Sequence, residues 1–282
     1  MEAYAQAPPT AAAPVTAAPS GWRHFAYVTA ALTATEFKLR YFGSVLGYLW
    51  TLLRPLMLFG VLYVVFTEIV RFGKDVPHYP VVLLAGIVVF NFFSEATSGG
   101  LMSLVQRENL LRKVAFPRAA VPVAVSLTAA ANLGLGVLVV VVFALIDGVE
   151  PSVTWFGFIF AVMAIVVLAT AVSVLLATLF VRFRDVRPIW EVALQLLFWG
   201  SPIIYTIESV ENNTFRHLMM CNPLAALIQQ ARHWLVEPST ESAADAIGGS
   251  VRLLIPAAIF LLLVALSVWA FRRAEPHMAE DL

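Results

Sequence analysis

Three charged side chains interrupt stretches that are otherwise apolar: Arg54, Glu95 and Glu191. A charge in hydrocarbon is costly unless it faces protein interior, pairs, or reaches the headgroups, so each marks a candidate functional position. Counted at 1.5 Å per residue from the basic ends of their segments, Arg54 lies about 12 Å deep, Glu95 about 15 Å and Glu191 about 5 Å. The similar depths of Arg54 and Glu95 allow a structural ion pair or snorkelling on one hand, and contact with a charged substrate headgroup on the other.

A second candidate is the basic loop of residues 106–118, where Arg107, Arg112, Lys113 and Arg118 alternate with Leu110, Leu111, Val114 and Phe116, and Pro117 ends the run. An apolar edge beside steering charges suits a socket in a partner protein. The plainer alternative is a positive anchor lying on lipid headgroups. Aromatic residues are the third feature: Phe59, Tyr63 and Phe66 recur at helical spacing, with Tyr48 and Trp50 nearer the basic end, and Trp190, Phe198, Trp199 and Tyr205 fall in a later segment. Interface belts account for those near segment ends. Phe59 and Phe198 lie deeper, where stacked faces offer sugar rings a weakly binding track and ordinary helix packing is the alternative.

Catalytic constellations are missing from the sequence. No Gly-x-x-x-x-Gly-Lys-Ser/Thr loop occurs, and Gly73-Lys74 is followed by Asp75. No His-Glu-x-x-His helix exists, and His24, His78, His217, His233 and His277 have no metal-ligand spacing. The single Cys221 makes neither an internal disulfide nor a cysteine zinc cluster. The expectation is a chain that is not an enzyme and carries no cofactor or metal.

The elements that position these residues follow from composition. Hydrophobic residues make up 60% and charged residues 13% of 282, against about 45–50% and about 25% in soluble domains. Such a chain cannot hide its apolar side chains in one water-soluble globule. Apolar windows of bilayer length fall at about 46–67, 81–104, 119–146, 154–180, 188–205 and 251–271. The expected fold is an all-α polytopic membrane protein with six transmembrane helices and both termini on one side.

Charge sorts the two faces. One gathers Arg23, Lys38, Arg40, Arg107, Arg112, Lys113, Arg118, Arg182, Arg184, Arg187, Arg272 and Arg273; the other has only Arg71, Lys74, Arg216, Arg232 and Arg252. The positive-inside bias places the first face, and both termini, in the cytoplasm. Net charge is zero, with 18 basic and 18 acidic residues, which excludes a dominant nucleic-acid-binding role.

Outside the spans, residues 1–20 are Ala- and Pro-rich and read as a disordered tail. Residues 21–43 carry Trp22, Phe25, Val28, Leu32, Leu39 and Phe42 at helical steps, the pattern of an interfacial amphipathic helix; packing on a neighbouring soluble subunit is the alternative. Residues 44–272 form the six-span domain and 273–282 a cytoplasmic tail. Between spans five and six, Asn222 and Pro223 open a helical run too short to cross a bilayer. It fits a re-entrant hairpin that shapes an exit, or a passive external cap.

Several strings then stand together in order. Leu46-Gly-Tyr-Leu-Trp-Thr-Leu-Leu-Arg-Pro55, Asn109-Leu-Leu-Arg-Lys-Val-Ala-Phe-Pro-Arg118, Phe183-Arg-Asp-Val-Arg187, Phe198-Trp-Gly-Ser-Pro-Ile-Ile-Tyr205 and Asn222-Pro-Leu-Ala225 resemble the permease subunits of type-2 ABC exporters of polysaccharides and polyol phosphates such as O-antigen, capsule, teichoic acid or galactan. The similarity covers about residues 22–272.

The resemblance implies a homodimer in the cytoplasmic (inner) membrane, bound to two copies of a cytoplasmic ABC ATPase that carries the ATP and Mg. It implies a gate helix at 22–42 and an outer gate hairpin at 206–236. ATPase coupling would fall to the loop about 106–117, through Arg107, Glu108, Asn109, Leu110, Leu111, Arg112, Lys113 and Phe116. Tyr48, Phe59, Tyr63, Phe198 and Trp199 would line a channel. The substrate implied is a polyprenyl-pyrophosphate-linked glycan. Lys38 and Arg40, beside the start of span one, are candidate pyrophosphate contacts, or else snorkelling anchors. Two alternatives remain at this point: a drug or antibiotic exporter with the same subunit plan, and a polytopic enzyme acting on polyprenyl lipids.

Overall fold

The structure, a computed structural model, describes residues 21–41, 49–71, 76–113, 116–236 and 240–276, without the side chains of residues 40, 41, 110, 112 and 113. The expected tail 1–20, Tyr48, and residues 277–282 lie outside the described residues.

All regular structure among the described residues is helical. In chain order it comprises α1 (Trp22–Tyr41), α2 (Leu49–Val64) continued by a π-helical turn at Val65–Ile69, α3 (Tyr79–Gln106), and the short α4 (Glu108–Lys113). Then come α5 (Ala120–Ile146), α6 (Trp155–Arg182), α7 (Val186–Trp199), α8 (Asn213–Met220), α9 (Pro223–Leu235), α10 (Ala243–Ile247) and α11 (Leu254–Ala274). Five stretches are long and apolar enough to cross a bilayer: Leu49–Ile69, Tyr79–Gln106, Ala120–Ile146, Trp155–Arg182 and Ser250–Ala274. The chain is a multi-pass membrane protein.

The segment expected as a span at 188–205 is built differently. Its helix, α7, ends at Trp199 after 14 residues, a rise of about 21 Å against about 30 Å of hydrocarbon. Gly200 caps it and Pro202 has no N–H with which to continue the ladder. Irregular chain carries on, and the Tyr79 hydroxyl donates to the Ile204 carbonyl at 2.8 Å. Since α7 begins just after α6 ends, helix and irregular segment together run from one end of the bundle to the first turn of α3.

The central element is α3. It is the most buried of the five long helices, packed between α5 and α6 with α2 and α7 on its flanks. Ties at both ends fix the antiparallel order. His78 meets Asp147 at 2.7 Å, joining the start of α3 to the end of α5, and Thr154 Oγ1 donates to the Trp234 carbonyl at 2.8 Å, joining the start of α6 to α9. At the basic end, Arg118 donates to the Glu275 carbonyl, joining the start of α5 to the end of α11.

Helix association inside a bilayer relies on close backbone approach at small residues. Gly100 provides one on α3: a β-carbon there would lie 1.6 Å from Ser173 Oγ and 2.8 Å from Ser173 Cβ on α6. Gly100→Val is expected to force these helices apart at a cost of about 1–3 kcal/mol. Gly60→Ala is the control, since nothing lies within 4 Å of a β-carbon there. Thermal unfolding of the purified chain in detergent checks this; equal midpoints for the two variants would contradict the packing.

Candidate functional site

The basic loop is placed by the corner where α3 turns into α4. Arg107 ends α3, and its guanidinium forms an ion pair with Glu36 of α1. Both side chains are largely enclosed, and burial lowers the Arg107 guanidinium from its ordinary range; a guanidinium stays charged through such a shift. Leu111 is buried in a small apolar cluster with Leu104, Val121, Val181 and Phe271, and Phe116 packs against the same cluster. Of the expected docking edge, Arg107, Leu111 and Phe116 therefore turn toward the chain's own helices. A six-residue helix cannot present every side to a partner, and part of this one serves as its anchor. Asn109 is exposed and Glu108 half-buried, while the side chains of Leu110, Arg112 and Lys113 lie outside the described residues.

Behind this corner is a polar cavity of about 340 Å³ between α1, α3 and α5, lined among others by Glu36, Glu95, Ser103, Arg107 and Thr128. The face of α1 that meets the bundle carries Phe25, Thr29, Leu32 and Glu36; Trp22 and Leu39 are exposed. Lys38 is also exposed on α1, and the Arg40 side chain lies outside the described residues.

Arg54 and Glu95 are not brought together. Glu95 Oε1 accepts from Asn132 Nδ2 of α5 at 3.1 Å, whereas Arg54 is exposed on α2 beside the exposed Trp50, Met57 and Val61. Glu95 faces α5, and an α5 amide reaches its carboxylate. Glu191 is exposed on α7, where Arg187 Nε donates to its carboxylate at 3.0 Å.

The aromatic candidates divide between two faces. Phe59 is buried, stacked on Tyr63 at 5.8 Å and edge-on to Phe143 of α5 at 5.7 Å. Phe198 sets its ring against Phe90 of α3 at 5.1 Å and against Trp199 at 5.5 Å. Both rings thus point into the bundle. Tyr63 is half-buried and Trp199 exposed; Tyr48 lies outside the described residues.

The sequence marks Arg232 only as one of the five basic residues of the second face, within the helical run that Asn222 and Pro223 open. On α9 it is the largest fully buried side chain among the described residues, 1% exposed. Its Nε donates to Val82 O at 3.1 Å, and its terminal nitrogens reach the carbonyls of Pro202, Ile203 and Tyr205. These last three belong to the irregular segment after α7, where no helical ladder is available to occupy them. Burial pushes the guanidinium down to about 10 and nearby Glu208 pulls it back, so it remains cationic near neutral pH. Gly86 of α3 makes the space, because a β-carbon there would stand 2.5 Å from Arg232 Nη2. One signal was legible: Leu224, Ala225 and Ile228 stand eight, seven and four residues before Arg232, which sets it on the apolar face of α9.

Asn222 opens α9 by accepting from Leu224 N at 3.0 Å, with Pro223 in the first turn. Asn212 caps α8 likewise. The distal end is thus two short helices hinged at Cys221-Asn222, with Arg232 fastening them to α3 and to the end of α7.

The described residues thus form a helical membrane domain with irregular chain pinned by Arg232 at one end and an anchored basic corner at the other. The chain belongs to the ABC-2 type transporter family, whose pattern it matches over residues 27–236. It is 30% identical over 247 residues to the O-antigen export system permease protein RfbA of Myxococcus xanthus, covering 86% of this chain and 92% of that protein. It is 28% identical over 198 residues to a protein of the same name from Klebsiella pneumoniae, covering 70% and 75% of the two chains.

Proposed function

We propose that this chain is the permease subunit of an ATP-driven exporter that moves a lipid-linked, O-antigen-like polysaccharide across the cytoplasmic membrane. The observation that carries this reading is its similarity, over 92% of the relative's length, to a permease named for O-antigen export. ATP hydrolysis belongs to a separate subunit docked on the 106–117 corner, and the basic end, with both termini, faces the cytoplasm.

In this reading α7 and residues 200–206 make the sixth crossing, and two copies meet across α2 and α7. The exposed charges support that placement. Arg54 and Glu191 are the exposed intramembrane charges of α2 and α7, whereas α5 and the apolar lengths of α6 and α11 carry none. Charged faces suit a partner or an aqueous conduit, uncharged ones suit lipid. Tyr63 and Trp199 are the aromatic groups left to line the conduit. The re-entrant α8–α9 hairpin forms the exit.

Motion would enter at the corner: closure of the ATPase shifts α4, and the Arg107–Glu36 pair passes the shift to α1. Lys38 and Arg40 on α1 meet the pyrophosphate as the lipid enters. Neutralising both as Gln is expected to cut glycan export severalfold while membrane insertion holds; equal loss of inserted protein would contradict this role. The reading as a whole is tested by co-purification with the candidate ATPase and assay of ATP hydrolysis with and without this chain. Stable association and altered hydrolysis are expected, and an ATPase that neither binds nor responds would contradict it.

A further inference from the structure

Two apolar troughs flank α11 and converge at its basic end. One, of about 670 Å³, runs between α5, α6 and α11, with Leu127, Met163, Val167 and Val268 among its walls and Arg272 and Glu275 at its mouth. The other, of about 700 Å³, lies on the adjacent face of α11, lined by α11 alone, and passes Leu261, Ala265 and Trp269 to Arg272 and Arg273. Val264, Val268 and Arg272 border both. Two greasy channels that share one wall and end at one cationic point match the shape of a lipid with two acyl chains and one phosphate.

The setting selects the bilayer as the source. Charge is absent from α5 and α11 until Arg272, and from α6 until Arg182, so these faces can stand against hydrocarbon. At the mouth, Arg272 is exposed, Arg273 sits 5.6 Å from the Trp269 ring centre, and Arg118 is held beside them by the Glu275 carbonyl. Among the described residues, three guanidinium groups stand there against the carboxylate of Glu275 and leave a positive site for an anionic headgroup. Phe25 of α1 closes the first trough at the same level, so a lipid seated there touches α1 as well as α11.

We propose that α11 seats a two-chain anionic phospholipid of the leaflet at the basic end, its acyl chains in the two troughs and its phosphate on Arg272 and Arg273. The site is separate from the conduit and does not depend on the export reading. The test is to purify the full chain from membranes in mild detergent and quantify the co-purifying lipid classes by mass spectrometry. Anionic phospholipid should be enriched at least threefold over its share in the parent membrane. Arg272→Gln with Arg273→Gln should return it to that share, and Val268→Trp, which fills the common wall at an exposed position, should lower all bound phospholipid. Bound lipid of parent composition in the unmodified chain would overturn the proposal. So would enrichment unchanged in monodisperse samples of both variants, or enrichment of polyprenyl diphosphate lipid in place of phospholipid.

Discussion

Arg232→Ala is expected to leave the distal end of the protein unable to hold its fold. The substitution removes donors from Pro202, Ile203 and Tyr205, carbonyls of a buried non-helical segment, and opens a void beside Gly86. Each buried polar group left without a partner costs about 1–3 kcal/mol. Three together come to at least about 3 kcal/mol, a large share of the about 5–15 kcal/mol that holds a typical protein together. A sharp fall in thermal midpoint and in the monodisperse fraction after extraction should follow. Arg232→Lys should fall between, since an ammonium has fewer donors and no planar fork to span several carbonyls. Unchanged stability in Arg232→Ala would mean that water or another group satisfies the segment.

The second large effect is expected at the Glu36–Arg107 pair. Reversing either charge sets like charges together in a half-buried site, where the cost is screened below the about 3–5 kcal/mol of breaking a fully buried pair. Arg107→Glu alone, and Glu36→Arg alone, should lower export tenfold or more, while the combined exchange recovers most of it. A tenfold recovery corresponds to about 1.4 kcal/mol of coupling between the two positions. If the ATPase docks on the 106–117 corner as proposed, ATP hydrolysis should persist in the single variants, because the break lies between that corner and α1. Losses that simply add in the double variant would show that the pair transmits nothing.

Much of the architecture was written in the chain. Long apolar runs marked α3, α5, α6 and α11 because burial in hydrocarbon leaves composition as the dominant signal. The Asn222-Pro223 step marked the start of α9 through local capping. What composition could not show was the break after α7: residues 188–205 are predominantly apolar, and only the Gly200 and Pro202 pair hints that the ladder stops there.

Side-chain directions were harder still. Arg54 and Glu95 share a depth, but depth carries no azimuth, and Asn132 occupies the position beside Glu95. Phe59 and Phe198 were recognised as deep aromatics, yet the choice between conduit and core depended on Phe143 and Phe90, neighbours far off in sequence. The Glu36–Arg107 pair and the four carbonyls around Arg232 are long-range contacts of the same kind, without a local pattern to announce them.

The most direct test of an ATP-driven glycan permease uses inside-out vesicles containing this chain, its candidate ATPase and a labelled polyprenyl-pyrophosphate-linked polysaccharide added outside. ATP should move the glycan into the lumen, where an added glycosidase cannot digest it, and omitting either protein should abolish that protection. Protection that forms without ATP, or with the ATPase alone, would contradict that reading.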